Sequence, residues 1–280
     1  MKFENMINTI QLGDCYELIK NIPDNSIDCV YIDIPYLYVQ GGGGSSDLGQ
    51  RVTKKRDILA GATKIYEQNK NSNRGEALRI ARNKVKQFAD IIALDSGIDY
   101  SIFDELCRVM LKTNIFIWCS KLQLPDILNY FANKGCNYEI LVWCKTNPTP
   151  TTNNTWLPDI EYCLYFRDKG IQLNDGYDLK SKWFMSKANV EDKQNFLHPT
   201  IKPLGLVKKH LLHTTQPDDI VLDCFCGSGT TCVACKETGR RFIGIELDKK
   251  WVEVARNRVN GIDASGQLSI MFDDKGEVLN

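Results

Sequence analysis

Two stretches of this 280-residue chain place reactive side chains at the ends of apolar runs. In "CVYIDIPYLY" (29–38) the run from Cys29 to Ile32 meets Asp33, Pro35 and Tyr36. A strand that reads as buried therefore ends in a carboxylate, a rigid turn and an aromatic ring. The second stretch is "VLDCFCGSGTTCVACKETGRRFIGIELD" (221–248). Its pattern predicts a strand ending at Asp223, a Gly-x-Gly turn at Gly227 and Gly229, a helix opening at Thr230 and a second strand ending at Glu246. Glycines let the backbone approach a ligand closely, and a helix N-terminus offers free N–H groups to a carboxylate or phosphate. An acid at the next strand end is placed to accept both hydroxyls of a ribose. The unit fits an adenosine ligand carrying a charged tail. No Gly-Lys-Ser/Thr phosphate loop occurs in the chain, which argues against an ATP-driven motor.

The rest of the chain must hold these stretches in place. Strands are predicted at 7–14 and 28–36, then in "TNIFIWCS", "YEILVWCK", "IEYCLYF", "DIVLDCF" and "RRFIGIEL". Helical spacing separates them in "CYELIKNIPDNS", "YSIFDELCRVML", "LPDILNYFANKG", "LGLVKKHLLHTT", "TTCVACKETG" and "KKWVEVARNRV". Alternation of this kind predicts an α/β, doubly wound, mostly parallel sheet of seven strands. Residues 37–98 interrupt it. "GGGGSSDLGQ" reads as a flexible linker, and Arg51–Lys86 then carries eleven Lys/Arg against three acids. Within it Leu78, Ala81, Val85, Phe88 and Ile92 share one helical face while Arg79, Arg82 and Lys86 share another. Net charge is zero overall, but a second basic stretch spans Lys180–Lys209 and the C-terminal part is acidic. Charge segregated in this way suits contact with a phosphate backbone; the plainer reading of the insertion is a solvated helix face. Eleven cysteines sit mostly in apolar segments, without a signal peptide or long apolar run, as expected of a reduced cytoplasmic protein. Cys224, Cys226, Cys232 and Cys235 are split by the glycine turn, so no metal site is assigned to them.

These residues resemble a known family. "DCFCGSGTT" with "GIELD" is similar to the cofactor motif of S-adenosylmethionine-dependent methyltransferases, and "DIPY" (33–36) to the Asp-Pro-Pro-Tyr motif of amino-methylating DNA methyltransferases. "HPTIKPLGLV" (198–207), "LGDCYELIKNIPDNSIDCVYIDIPY" (12–36) and "EILVWCKTNPTP" (139–150) resemble further blocks of that family. Catalytic motif first and cofactor motif last is its beta-type, circularly permuted order. The resemblance covers about two-thirds of the chain and departs from the motif at Ile34, which stands where the first proline is expected.

The resemblance implies an adenine-N6 DNA methyltransferase that flips its target base and transfers the methyl group directly. Asp33 and backbone carbonyls held by Pro35 would take the amino hydrogens, and Tyr36 would stack on the flipped base. It implies that Asp223 meets the methionine ammonium, Phe225 lines the pocket, Gly227, Gly229 and Thr230 pass the tail, Glu246 holds the ribose and Asp14 faces the adenine. Thr200 and Lys202 would contact the carboxylate end, unless Lys202 is a surface lysine. Cytosine-N4 methylation stays open as the second reading, although that branch more often has Ser where Asp33 stands. An RNA target and a nucleic-acid-binding module without catalysis also stay open. No proline precedes a cysteine, which disfavours the cytosine-C5 mechanism.

The catalytic domain is expected in 1–36, 99–166 and 198–262, and the target-recognition region in 146–197. There Asn153, Asn154, Trp156, Lys182 and Trp183 suit base edges and stacking. Duplex DNA is the expected partner; a homodimer and a cognate restriction enzyme are further ones. In the tail, 263–280, Gln267, Leu268, Ile270 and Phe272 resemble peptides that dock on the bacterial sliding clamp. The competing reading of the tail is a final edge strand.

Overall fold

Strands β2 (Cys29–Asp33), β3 (Asn114–Cys119) and β7 (Ile220–Asp223) are almost wholly buried, so their apolar runs are continuous rather than alternating. The computed structural model describes residues 2–37, 97–148, 150, 156–188 and 200–262. Arg79, Arg82 and Lys86 of the insertion, Asn153 and Asn154, and the tail with Gln267, Leu268, Ile270 and Phe272 lie outside the described residues.

The remaining strands are β1 (Thr9–Leu12), β4 (Asn137–Lys145), β5 (Ile160–Arg167), β6 (Trp183–Ser186) and β8 (Arg241–Glu246). The helices are α1 (Cys15–Leu18), α2 (Ile102–Val109), α3 (Leu124–Asn133), α4 (Tyr177–Lys180), α5 (Leu204–Thr214), α6 (Thr230–Glu237) and α7 (Lys249–Val259). One sheet runs in the order β1-β8-β7-β2-β3-β5-β4-β6, with β5 antiparallel to both neighbours and every other pairing parallel. The permuted order is visible in the pairing of the first strand with the last, Leu12 opposite Glu246.

The sheet has one strand more than the seven predicted. β6 is a four-residue edge strand, Trp183–Ser186, whose three apolar residues are flanked by lysines and serine and are too few to mark a strand; Trp183 and Met185 are exposed. Tertiary bonds secure it: Trp143 Nε1 donates to Ser186 Oγ (2.9 Å), and Lys209 Nζ donates to the carbonyls of Ser181 (2.8 Å) and Trp183 (3.0 Å).

Successive residues of β2 feed opposite cores. Val30 and Ile32 join Ile102, Phe103, Ile117 and Phe131 on one face, while Cys29 and Tyr31 join Phe116, Trp118, Leu206 and Val221 on the other. All eleven cysteines are free and nine are buried, filling space as small apolar groups. Because the parallel strands end on one edge, Asp33, Cys119, Asp223 and Glu246 share that edge. β5 runs the other way, so its first residues, Ile160 and Glu161, arrive there too.

Candidate active site

Asp33 ends β2 opposite Trp118, and Ile34 N–H donates to the Trp118 carbonyl (3.2 Å). A proline at 34 has no N–H, so Ile34 carries the ladder one residue further than the family motif allows. The turn beyond is held by side chains. Gln123 Nε2 donates to the Pro35 carbonyl (3.1 Å), and the Ser120 hydroxyl lies 3.1 Å from the Leu37 carbonyl. Gln123 Oε1 accepts in turn from Ser120 N–H (3.0 Å). Buried Ser120 and Gln123 thus supply stiffness that the absent proline does not.

Around Asp33 lies a chain of charges of alternating sign. Lys202 Nζ is 2.5 Å from Asp33 Oδ2 and 3.2 Å from Glu161 Oε2, and Lys145 Nζ is 2.5 Å from Glu161 Oε1. The Tyr36 hydroxyl lies 3.4 Å from both Glu161 Oε2 and Lys202 Nζ. The same ammonium faces the rings of Trp118 (5.1 Å) and Tyr36 (5.5 Å). The Lys202 side chain is 8% exposed and that of Asp33 28%, so the pair is shielded while the carboxylate keeps an open side. Burial lifts the Asp33 pKa above its ordinary value, and Lys202 opposes that rise without cancelling it. Burial also opposes the Glu161 charge, but Lys202 and then Lys145 outweigh it and hold that carboxyl at about 2. For Lys202 the burial effect is exceeded by Asp33 and Glu161, which raise its pKa.

Lys202 therefore sits with the residues expected to act on the target, although the family resemblance points it toward the cofactor. Glu161 and Lys145 escaped sequence reading altogether. Each lies in an apolar strand, and only the reversed direction of β5 brings Glu161 to the edge where Asp33 ends.

The other half of the edge is built around two carboxylates with no cation beside them among the described residues. Asp223 is 4% exposed; its Oδ1 accepts from Phe225 N–H (3.1 Å) and the Thr231 side chain also bonds it. Burial pushes its pKa up to about 7. Glu246 accepts from Gly227 N–H (2.9 Å) and Asp248 N–H (2.9 Å), and burial raises its pKa. Asp14 is exposed beside the end of β8 and caps α1 by accepting from Tyr16 N–H (2.9 Å). Phe225 is half-buried and Thr200 exposed.

Two residues expected at the cofactor have clear structural duties. Gly229 adopts φ +79°, and a Cβ there would come within 2.9 Å of Ala255 Cβ, so the glycine lets α6 pack on α7. Thr230 is buried and its hydroxyl accepts from the Arg258 guanidinium (2.7 Å). On the opposite side, Lys182 pairs with Glu139 (2.5 Å) and Trp183 lies opposite Val142, on the edge strand away from Asp33.

Fold and site together give an α/β sheet with two distinct carboxylate clusters on one edge, a layout suited to a catalytic half and a half that holds an adenosine ligand. The DNA methylase family profile matches residues 27–257, and the chain belongs to this N6/N4 DNA methyltransferase family. It is 29% identical over 279 residues to the type II methyltransferase M.HinfI of Haemophilus influenzae, covering 92% of this chain and 70% of that protein. It is also 29% identical over 265 residues to M2.LlaDCHI of Lactococcus lactis subsp. cremoris, covering 89% and 87%. The crystal structure of the M1.HpyAVI–SAM complex superposes with TM-score 0.59 at 23% identity, covering 89% of this chain and 98% of that one. The cytosine-N4-specific PvuII DNA methyltransferase superposes with TM-score 0.60 at 14% identity, covering 89% and 85%.

The protein is thus a DNA methyltransferase using S-adenosylmethionine. The residues present fit that cofactor: the buried carboxylate of Asp223, with no cation beside it among the described residues, suits its ammonium, and Glu246 suits its ribose hydroxyls.

Proposed function

We propose that the chain methylates the N6 amino group of adenine within a specific duplex sequence, after flipping the base out of the helix. The observation that carries this reading is the carboxylate of Asp33, paired with Lys202, open to solvent on one side and hydrogen-bonded by the Tyr36 side chain. An exocyclic amine conjugated with its ring is a weak nucleophile. Asp33 and a carbonyl of the Ile34–Pro35 turn accept its hydrogens, which turns the lone pair out of the ring plane; Tyr36 stacks on the base and fixes its height. S-adenosylmethionine, when bound, supplies a sulfonium methyl and takes back the electron pair of the broken S–C bond. The amine, having given its pair to the new N–C bond, releases its surplus proton through Asp33. Asp223, Glu246 and Asp14 orient the cofactor, while Thr200 and Phe225 border its site.

The type II relatives support a role beside a restriction enzyme in a bacterial or phage setting. Duplex contacts fall to the basic insertion and to 146–197, with Lys182 and Trp183 at its rim. The test is transfer of labelled methyl from the cofactor to unmethylated genomic DNA, followed by nucleoside analysis. N6-methyladenine is expected; N4-methylcytosine would assign the other branch, and no label in DNA would end the reading.

A further inference from the structure

Asp33 and Tyr36 have separate tasks, one accepting hydrogens and one stacking, yet both must address the same base. The Tyr36 side chain hydrogen-bonds Asp33 directly, and three residues distant in the sequence tie the pair to the rest of the sheet edge. Lys202 touches the Asp33 carboxylate and the Tyr36 hydroxyl across 169 and 166 residues of chain, and Glu161 reaches the same hydroxyl across 125. Lys145, from the end of β4, anchors the other oxygen of Glu161. The chain Lys145–Glu161–Lys202–Asp33 is neutral as a whole, alternates in sign and joins β4, β5, the segment before α5 and β2.

We infer that Lys202 and Glu161 are positioning residues for methyl transfer: they set the Asp33 carboxylate and the Tyr36 ring against one target base, and Glu161 keeps the Lys202 ammonium satisfied when Asp33 turns an oxygen to the amine. The inference rests on the amino-methylation reading above. A simple ion pair would serve stability alone. Here the ammonium has two carboxylate partners, so one can be lent to substrate without stranding a buried charge.

The two residues act on Asp33 with opposite sign, which separates positioning from mere packing. Within electrostatic reach of Asp33 lie Tyr31 and Tyr36 of its own segment, Cys119 of β3, Glu161 and Cys163 of β5, Asp223 of β7, and Lys202. Burial keeps Tyr31, Cys119 and Cys163 neutral through the pH range of interest. Asp223 acts on cofactor affinity and drops out when cofactor is saturating.

The experiment is the single-turnover rate of methyl transfer to unmethylated genomic DNA against pH, with full-length protein and saturating S-adenosylmethionine. Lys202→Met should move the acid limb up by about one pH unit, roughly a tenfold loss of rate on that limb. Lys202→Arg should return it toward the parent position. Glu161→Gln should move the limb down. Cofactor affinity, measured by calorimetry without DNA, should stay within a few-fold in all three. Limbs that stay put, or that move the same way in Lys202→Met and Glu161→Gln, would overturn the inference. So would a Lys202→Met protein with normal saturated rate and cofactor affinity weakened tenfold or more, which would place Lys202 on the cofactor side. Should Lys202→Met fail to fold, Glu161→Gln decides alone: an unmoved or raised limb sinks the idea. A parent protein that leaves DNA unmethylated defeats the underlying reading; a methylating parent with unmoved limbs defeats only this inference.

Discussion

Asp33 and Asp223 end neighbouring parallel strands, β2 and β7, on the same edge of the sheet, yet their surroundings differ in kind. Asp33 has a lysine ammonium at 2.5 Å, itself balanced by Glu161 and Lys145. Asp223 is more deeply buried and is bonded by a backbone N–H and the Thr231 side chain, with Asp33 and Glu246 as its charged neighbours. One carboxylate is compensated by the protein before any ligand arrives. The other has no cation beside it among the described residues, and burial pushes its pKa up to about 7, whereas Lys202 opposes the rise at Asp33. The difference suits the proposed tasks: an acceptor would need its charge ready for each base, whereas a carboxylate that holds the cofactor would gain by being completed only when the ammonium binds.

Removing each carboxylate should break the comparison in different places. Asp33→Ala is expected to abolish methyl transfer, a loss of about three orders of magnitude or more, while cofactor affinity stays within a few-fold. Near-normal transfer by that variant would end the catalytic assignment. Asp223→Asn is expected to weaken S-adenosylmethionine binding by roughly two orders of magnitude, the cost of unpairing a buried ligand charge. The same change should raise the melting temperature of the ligand-free protein at pH 8 by a few degrees. Calorimetry and thermal melts measure the two effects, and a variant that binds normally would remove Asp223 from the ammonium site.

A pH series sharpens the contrast. The folded pKa of Asp223, about 7, lies above its ordinary 3.8, so the folded state holds the proton more tightly than the unfolded chain. Its contribution to stability is fully present below about pH 4 and is lost as pH rises through 7. Ligand binding has the reverse slope, because the ammonium needs the charged form. Affinity should therefore tighten by up to about tenfold per unit between pH 5.5 and 7 and then level off. Asp223→Asn should flatten that slope; an unchanged slope would mean that another group governs it. The smallest effect is expected at Gly229→Ala, where positive φ and the 2.9 Å approach to Ala255 predict destabilisation of about 1–3 kcal/mol. Chemical denaturation measures this, and an unperturbed midpoint would show that α6 and α7 adjust freely.

Some of this organisation was determined locally and could be read from the chain. "CVYI" is buried and extended because its residues are apolar and mostly β-favouring, and the ladder stops before Pro35, which has no N–H to give. The glycines at 227 and 229 mark a turn because positive φ favours residues without a side chain, and both adopt it. Asp223 and Glu246 follow from those elements, since parallel strands joined by helices bring their carboxyl ends to one edge. The partners of these residues were decided by tertiary structure alone. Glu161 faces Lys202 because β5 runs against its neighbours, and no residue near it in sequence signals that direction. β6 forms because β4 offers it a ladder and α5 offers Lys209, while its own four residues carry no period. Lys202 and Asp33 meet across 169 residues of chain. Local pattern sets where a strand ends and what stands at its tip; which charges face each other across that edge depends on strand order and direction, and these emerge only when the whole sheet is assembled.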